Sequence, residues 1–201
     1  MKSACLEVKM KATVLFILFS LLAVGCFGVF QFGIGIDAMG NHAYDFSSQS
    51  LLNDADYDVS LGISPAIEYL VPVNSFLLGL GAEYQVQRMV DFPPEGLDGK
   101  MGFIPLFCII RYQLASQRKF FPELVGQIGY NFMTADEDYL EGDAEVSGGL
   151  YWGIGAGINI SKIYLIQMMY KNNYGSYDRE IDNLKADISN SQLNLSLNMR
   201  F

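Results

Sequence analysis

Among the side chains that most often do chemistry, this 201-residue chain has one histidine, His42, and three cysteines, Cys5, Cys26 and Cys108. His42 is followed by Ser47, Ser48 and acids in the same polar stretch, the residue types of a nucleophilic hydrolase. Such a base must be held by a third group on a rigid scaffold, and a histidine in a polar loop has none, so no catalytic residues and no enzyme are expected. Cys5 and Cys26 fall in an apolar N-terminal segment, which leaves Cys108 as a lone thiol without histidine partners, a small apolar strand residue. Asp136-Glu137-Asp138 offers hard oxygen ligands for Ca²⁺. It lacks the Asp-x-Asp-x-Asp-Gly spacing and closing Glu of a calcium loop, and reads instead as a solvated acidic rim. Gly153, Gly155 and Gly157 have no helix after them and so are not a dinucleotide fingerprint. No metal site and no cofactor follow from these residues.

Composition narrows the class. Charged residues make up only 17% of the chain, hydrophobic ones 51%, and the net charge is −9. An acidic chain without clustered Lys and Arg does not bind nucleic acid through a basic patch, and its apolar content rules out disorder. Beyond the N-terminus no apolar run approaches the ~18 residues of a spanning helix. An apolar chain without such helices fits a membrane β-barrel.

The N-terminus reads as an address. Lys2, Lys9 and Lys11 precede an uncharged stretch from Ala12 to Phe30, with small residues at Ala23 and Gly25, as in an export signal. Residues 1–28 are assigned to it, with cleavage after Gly25 or Gly28, and residues 29–201 to the folded domain. Met10-Lys11-Ala12 is an alternative start, and Ala23-Val24-Gly25-Cys26 a loose lipobox.

After it, eight segments alternate with the side-chain period of two that strands require. They centre on Phe30–Asp37, Val59–Tyr69, Leu78–Gln87, Ile104–Gln113, Glu123–Phe132, Leu150–Ile158, Tyr164–Lys171 and Gln192–Phe201. Runs of ~10 to 14 residues suit tilted strands crossing a bilayer. Pro72–Ser75, Ala115–Lys119 and Ser161–Ile163 read as tight turns. Gly40–Asp56, Val90–Lys100, Thr134–Ser147 and Asn172–Asp187 read as long polar loops, and they hold most of the acids with only Lys100, Arg179 and Lys185 as bases. Short turns at one end and long loops at the other are the organisation of outer-membrane barrels. The predicted fold is therefore all-β: a closed eight-stranded antiparallel transmembrane barrel, an up-and-down meander.

Alternation alone does not say which face meets lipid. The face carrying Gly, Gln, Glu, Asn and Arg cannot fill an apolar interior, so it lines the lumen. Phe30, Tyr69, Phe76, Tyr112, Tyr130, Phe132, Trp152, Tyr164, Tyr170 and Phe201 lie near strand ends, where interfacial aromatic girdles form. An interior of eight strands is barely wide enough for side chains, and charges there must be paired. A symmetric turn at Ala115–Lys119 would set Arg111 directly opposite Glu123, with Glu68 at a similar depth. A lumen ion-pair network of Glu68, Arg111 and Glu123 is predicted, extended by Glu83, Lys171 and Arg200.

The terminal Leu195-Ser196-Leu197-Asn198-Met199-Arg200-Phe201 and the run Ile104-Pro105-Leu106-Phe107-Cys108-Ile109-Ile110-Arg111-Tyr112, taken with the strand order, resemble the small outer-membrane barrels of the OmpA, OmpX and OmpW type. That resemblance implies an integral place in the outer membrane of a diderm bacterium. It also implies that Phe201, with Met199, Leu197 and Leu195, is the signal read by the outer-membrane assembly machinery. The expected partners are the lipid bilayer, that machinery, and a host or environmental ligand at the loops. Two functions remain open: a non-enzymatic surface or structural barrel, favoured by Glu68, Arg111 and Glu123 blocking water, and an OmpW-like narrow channel for small, hydrophobic solutes, favoured by the apolar lumen-side Phe103, Phe107, Ile109 and Leu165.

Overall fold

The computed structural model describes residues 28–46, 55–89, 99–114, 118–136, 144–179 and 184–201. The segment read as an export signal lies outside them apart from Gly28, as do Ser47, Ser48, Glu137 and Asp138. Ten strands follow in order: β1 (Val29–Phe46), β2 (Ala55–Val59), β3 (Gly62–Val73), β4 (Phe76–Glu83), β5 (Gln85–Met89), β6 (Lys100–Gln113), β7 (Phe120–Ala135), β8 (Ala144–Ile160), β9 (Tyr164–Arg179) and β10 (Leu184–Arg200). β2 with β3, and β4 with β5, are each one stave broken by a kink, so the sheet has eight staves, matching the eight alternating segments. Each stave pairs antiparallel with its neighbours in sequence, and β10 returns to β1, which closes the cylinder.

Closure is what this composition requires, because an open edge would leave backbone groups unpaired in hydrocarbon. The register also shows the tilt. From Gln31 the paired residues run through Glu68, Gly81, Phe107, Gly129, Tyr151, Asn173 and Asn190, and regain β1 at His42, eleven positions from the start. A stagger of this size inclines eight strands by roughly 35–45° to the barrel axis.

The two faces of each strand differ in kind. Ile34, Ile128, Ile154, Met168 and Leu195 are all more than half exposed, while Gln31, Asn131 and Asn194 on the opposite face are at most 1% exposed. The apolar face is thus the outer one, and the buried interior is largely polar. Outer aromatic rings pair near the strand ends in Phe30 with Tyr69, at 5.1 Å between centroids, and Phe76 with Tyr112, at 5.0 Å, whereas Trp152 and Tyr170, 5.6 Å apart, lie mid-strand on β8 and β9 and not at the strand ends expected of them.

Three details differ from the sequence expectation. The polar stretches read as loops from Gly40 and Asn172 are largely strand, since β1 runs to Phe46 and β9 pairs with β10 out to Arg179. Their inner faces carry Tyr44, Tyr177 and Ile188, which cluster with Phe103, Met101 and Met133 in the outer mouth. Alternation therefore continues in them, hidden by their polar outer face. Second, the β6–β7 register is two residues off the symmetric one: Gln113, not Arg111, faces Glu123, and Arg111 faces Val125. Third, an irregularity between Gln85 and Arg88 reverses the alternation in β5, so that Arg88 rather than Gln87 is buried inside.

Candidate functional site: a filled lumen

Three polar tiers occupy the interior. The tier at the short-turn end is built around Arg111, which is 0% exposed. β6 aims its guanidinium across the lumen, where Nη2 donates to Glu68 at 2.8 Å and Nη1 to Glu123 at 2.9 Å and to Gln167 at 2.6 Å. The two-residue register offset does not separate Arg111 from Glu123, because both still face inward and the long arginine spans the diagonal. Arg200, from the last strand, donates to Glu123 at 2.7 Å, to Gln31 at 2.6 Å and to Asn159 at 2.8 Å. Gln31 donates onward to Glu68 at 2.9 Å. Two arginines, two carboxylates and Gln31 thereby form a closed ring of charge-assisted hydrogen bonds, the geometry that offsets the desolvation of buried ions.

The middle tier pairs Lys171 with Glu83 at 2.7 Å. Gln85 donates to Glu83 at 3.0 Å and accepts from Asn173 at 3.1 Å, and Asn194 donates to Asp37 at 2.7 Å. All six residues named for the lumen network therefore make ion pairs in the structure, divided between two tiers. Tyr151 donates to Gln127 at 2.7 Å, and its ring stacks near Phe107 at 5.5 Å.

The third tier centres on Arg88, which sequence reasoning did not single out. It donates to Gln192 and, at 3.5 Å, to Asn190, while its Nε and Nη1 have no partner. No carboxylate lies within ion-pair distance of it among the described residues. Gly62 makes room for it, since a Cβ there would stand 2.2 Å from the Arg88 Cδ. The signal was in the sequence: Val86 and Met89, both facing outward, are spaced by three, which breaks the period of two.

Between the tiers, Phe107, Ile109 and Met169 are buried, Leu165 is buried on the short-turn side of Gln167, and above them sits the apolar cluster of Phe103, Met101 and Ile188. A cavity of about 10 Å³ is ringed by Glu68, Glu83, Gln127, Lys171, Asn194 and others, the least volume that accommodates one water.

The remaining sequence candidates occupy other places. His42 is buried on β1 with its ring 4.8 Å from that of Tyr44 and is not on a loop. Asp136 accepts a hydrogen bond from the Lys100 backbone N–H at 2.9 Å. Cys108 is a free thiol on the exposed apolar face. Leu195, Leu197 and Phe201 are exposed on the same face, alongside the half-buried Met199. The girdle candidates Phe30, Tyr69, Phe76, Tyr112, Tyr130, Trp152, Tyr164 and Tyr170 all point outward.

A closed ring of eight staves, apolar outside and charged within, is the architecture of an outer-membrane β-barrel. No protein-family model matches the sequence, and neither does any curated protein. Among solved structures the chain is similar to the outer membrane protein OprG from Pseudomonas aeruginosa, with a TM-score of 0.53 at 10% identity over 87% of this chain and 95% of that one. It is also similar to the outer membrane protein AlkL, with a TM-score of 0.53 at 11% identity over 87% of this chain and 89% of that one. This protein has the fold of the small eight-stranded outer-membrane barrels.

Proposed function

We propose that the protein is a non-enzymatic surface barrel, which supports the envelope and contacts host or environmental ligands through its acidic outer loops. The observation that carries this reading is the Arg111–Glu68–Glu123–Arg200 ring, which fills the periplasmic end of the lumen. A barrel with ion pairs across its throat and apolar side chains above them is built to be watertight. Its outer strands meanwhile present Asp45, Asp178 and Asp187 beyond the apolar band, and Asp45 and Asp187 are direct cross-strand partners. Two neighbouring carboxylates on one face repel, and their presence suits a recognition surface better than a packing one.

Within this proposal residues 1–28 are the export signal, the outward Leu195, Leu197, Met199 and Phe201 are read by the assembly machinery, and the outer aromatic rings anchor the barrel at both interfaces. Refolded protein in a planar bilayer tests the main claim. It should show no steady conductance, and a steady opening would overturn it.

One observation favours a second reading, a narrow route for small hydrophobic solutes. Among the described residues β5 has ladder pairing with β6 alone, and toward the β2–β3 stave the backbone hydrogen bonds at this kink are Tyr84 N–H to Pro65 at 2.9 Å and Ser60 N–H to Met89 at 3.2 Å. This loosely laddered seam lies beside the apolar outer cluster of Val59, Phe103 and Met101. Uptake of a small apolar dye into proteoliposomes, faster than into protein-free vesicles, would support it.

A further inference from the structure

Charge is divided unequally between the two ends of the barrel. At the short-turn end the exposed charged side chains among the described residues are Arg118, Lys119 and Lys162. The acids at that depth, Glu68 and Glu123, are buried and already hold Arg111 and Arg200. The three cations also share one side of the rim: the Ser161 N–H donates to the Lys119 carbonyl at 2.9 Å, which joins the β6–β7 and β8–β9 turns.

Their height is set by what lies next to them. Phe120, Ile163 and Tyr164, all exposed, are the last apolar residues before these turns, and the Lys119 Nζ stands 5.7 Å from the centroid of the Phe120 ring. An ammonium just past the aromatic girdle sits where lipid headgroups are. Lys162 adds an independent observation. Ser161 and Lys162 have φ of 56° and 62°, and the Ile163 N–H closes the turn onto the Ile160 carbonyl at 3.3 Å. Such a two-residue hairpin favours Asn-Gly. A lysine in its second position is therefore kept against its own backbone preference, and strain of this kind is often retained for function.

We propose that this half of the periplasmic rim is a docking surface for anionic phospholipid headgroups of the leaflet facing the periplasm. The cations hold phosphates from the side while the neighbouring aromatic and aliphatic side chains contact the upper acyl chains. A lipid is favoured over a soluble anion because the patch is continuous with the membrane-embedded face.

The test is native mass spectrometry of the folded mature barrel in micelles holding equal amounts of phosphatidylglycerol and phosphatidylcholine. Phosphatidylglycerol adducts should outnumber phosphatidylcholine adducts by up to about fivefold for each engaged cation, and the excess should shrink as salt rises. Combined Arg118→Gln, Lys119→Gln and Lys162→Gln substitutions should remove it, whereas Lys185→Gln at the opposite end should leave it intact. Heat-modifiable migration verifies that each variant has folded. Equal adduct numbers in the wild type, or an undiminished excess in the triple variant, would overturn the proposal. So would a wild type that ignores lipid charge yet binds isolated cell-wall sacculi through these residues.

Discussion

Arg111 and Arg88 are both arginines buried in the same lumen, yet their surroundings give them opposite energetic roles. Arg111 satisfies two carboxylates, so Arg111→Met leaves Glu68 and Glu123 buried with one partner fewer. Urea unfolding in micelles should show a loss of about 3–5 kcal/mol, the usual cost of breaking a buried pair. Among the described residues Arg88 has no carboxylate partner, and two of its nitrogens are unsatisfied. Arg88→Met should therefore cost less than about 1 kcal/mol and could stabilise the barrel, since an apolar side chain of similar volume often replaces a poorly paired charge without loss. Equal losses for the two variants would refute this distinction. The Arg111 cluster was legible in the sequence because parity alone placed its members inside, where charges must pair. Its register was not, because turn length does not fix turn geometry, and the long arginine tolerated the two-residue error. Arg88 was hidden by a bulge that alternation registers only as a single spacing of three.

At the scale of the strand, the same face changes solvent along its length. Leu195 on β10 is exposed within the apolar band, and Asp187, on the same face, lies beyond it. Leu195→Arg should cost about 2–4 kcal/mol in vesicles, as for a cation near the bilayer midplane. Asp187→Arg should be neutral or stabilising, because it faces Asp45 across the β1–β10 pair. If both substitutions cost the same, the band edge has been misplaced. The Ser161-Lys162 turn gives a third element-scale expectation. Ser161→Asn with Lys162→Gly suits both positive φ values and should raise stability by about 1 kcal/mol in zwitterionic micelles. Strand existence and face were readable along the spanning runs, where period-two alternation is strict, but not at the two kinks, where Val59 and Arg88 turn inward. Strand length was not, because beyond the membrane the outer face turns polar and β1, β9 and β10 look like loops.

For the molecule as a whole, eight staves, a closing β10–β1 pair and an inverted polarity form one cooperative unit. The unboiled protein should run faster in detergent gels than the heated one, and a folded form without such a shift would argue against closure. The three tight turns set three antiparallel hairpins in advance, whereas the long connections did not by their length decide which strands they join. The filling of the lumen was less readable, because which tier each charge joins depends on tilt. The claim beneath all of this is that the apolar face meets lipid, and Cys108 on that face reports on it directly. In vesicles of the refolded barrel (residues 29–201, with Cys108 as its one cysteine), a membrane-impermeant maleimide should leave Cys108 unlabelled until the protein is denatured, while Asp187→Cys in a Cys108→Ser background labels at once. Rapid labelling of Cys108 in the folded, membrane-bound protein would contradict the account.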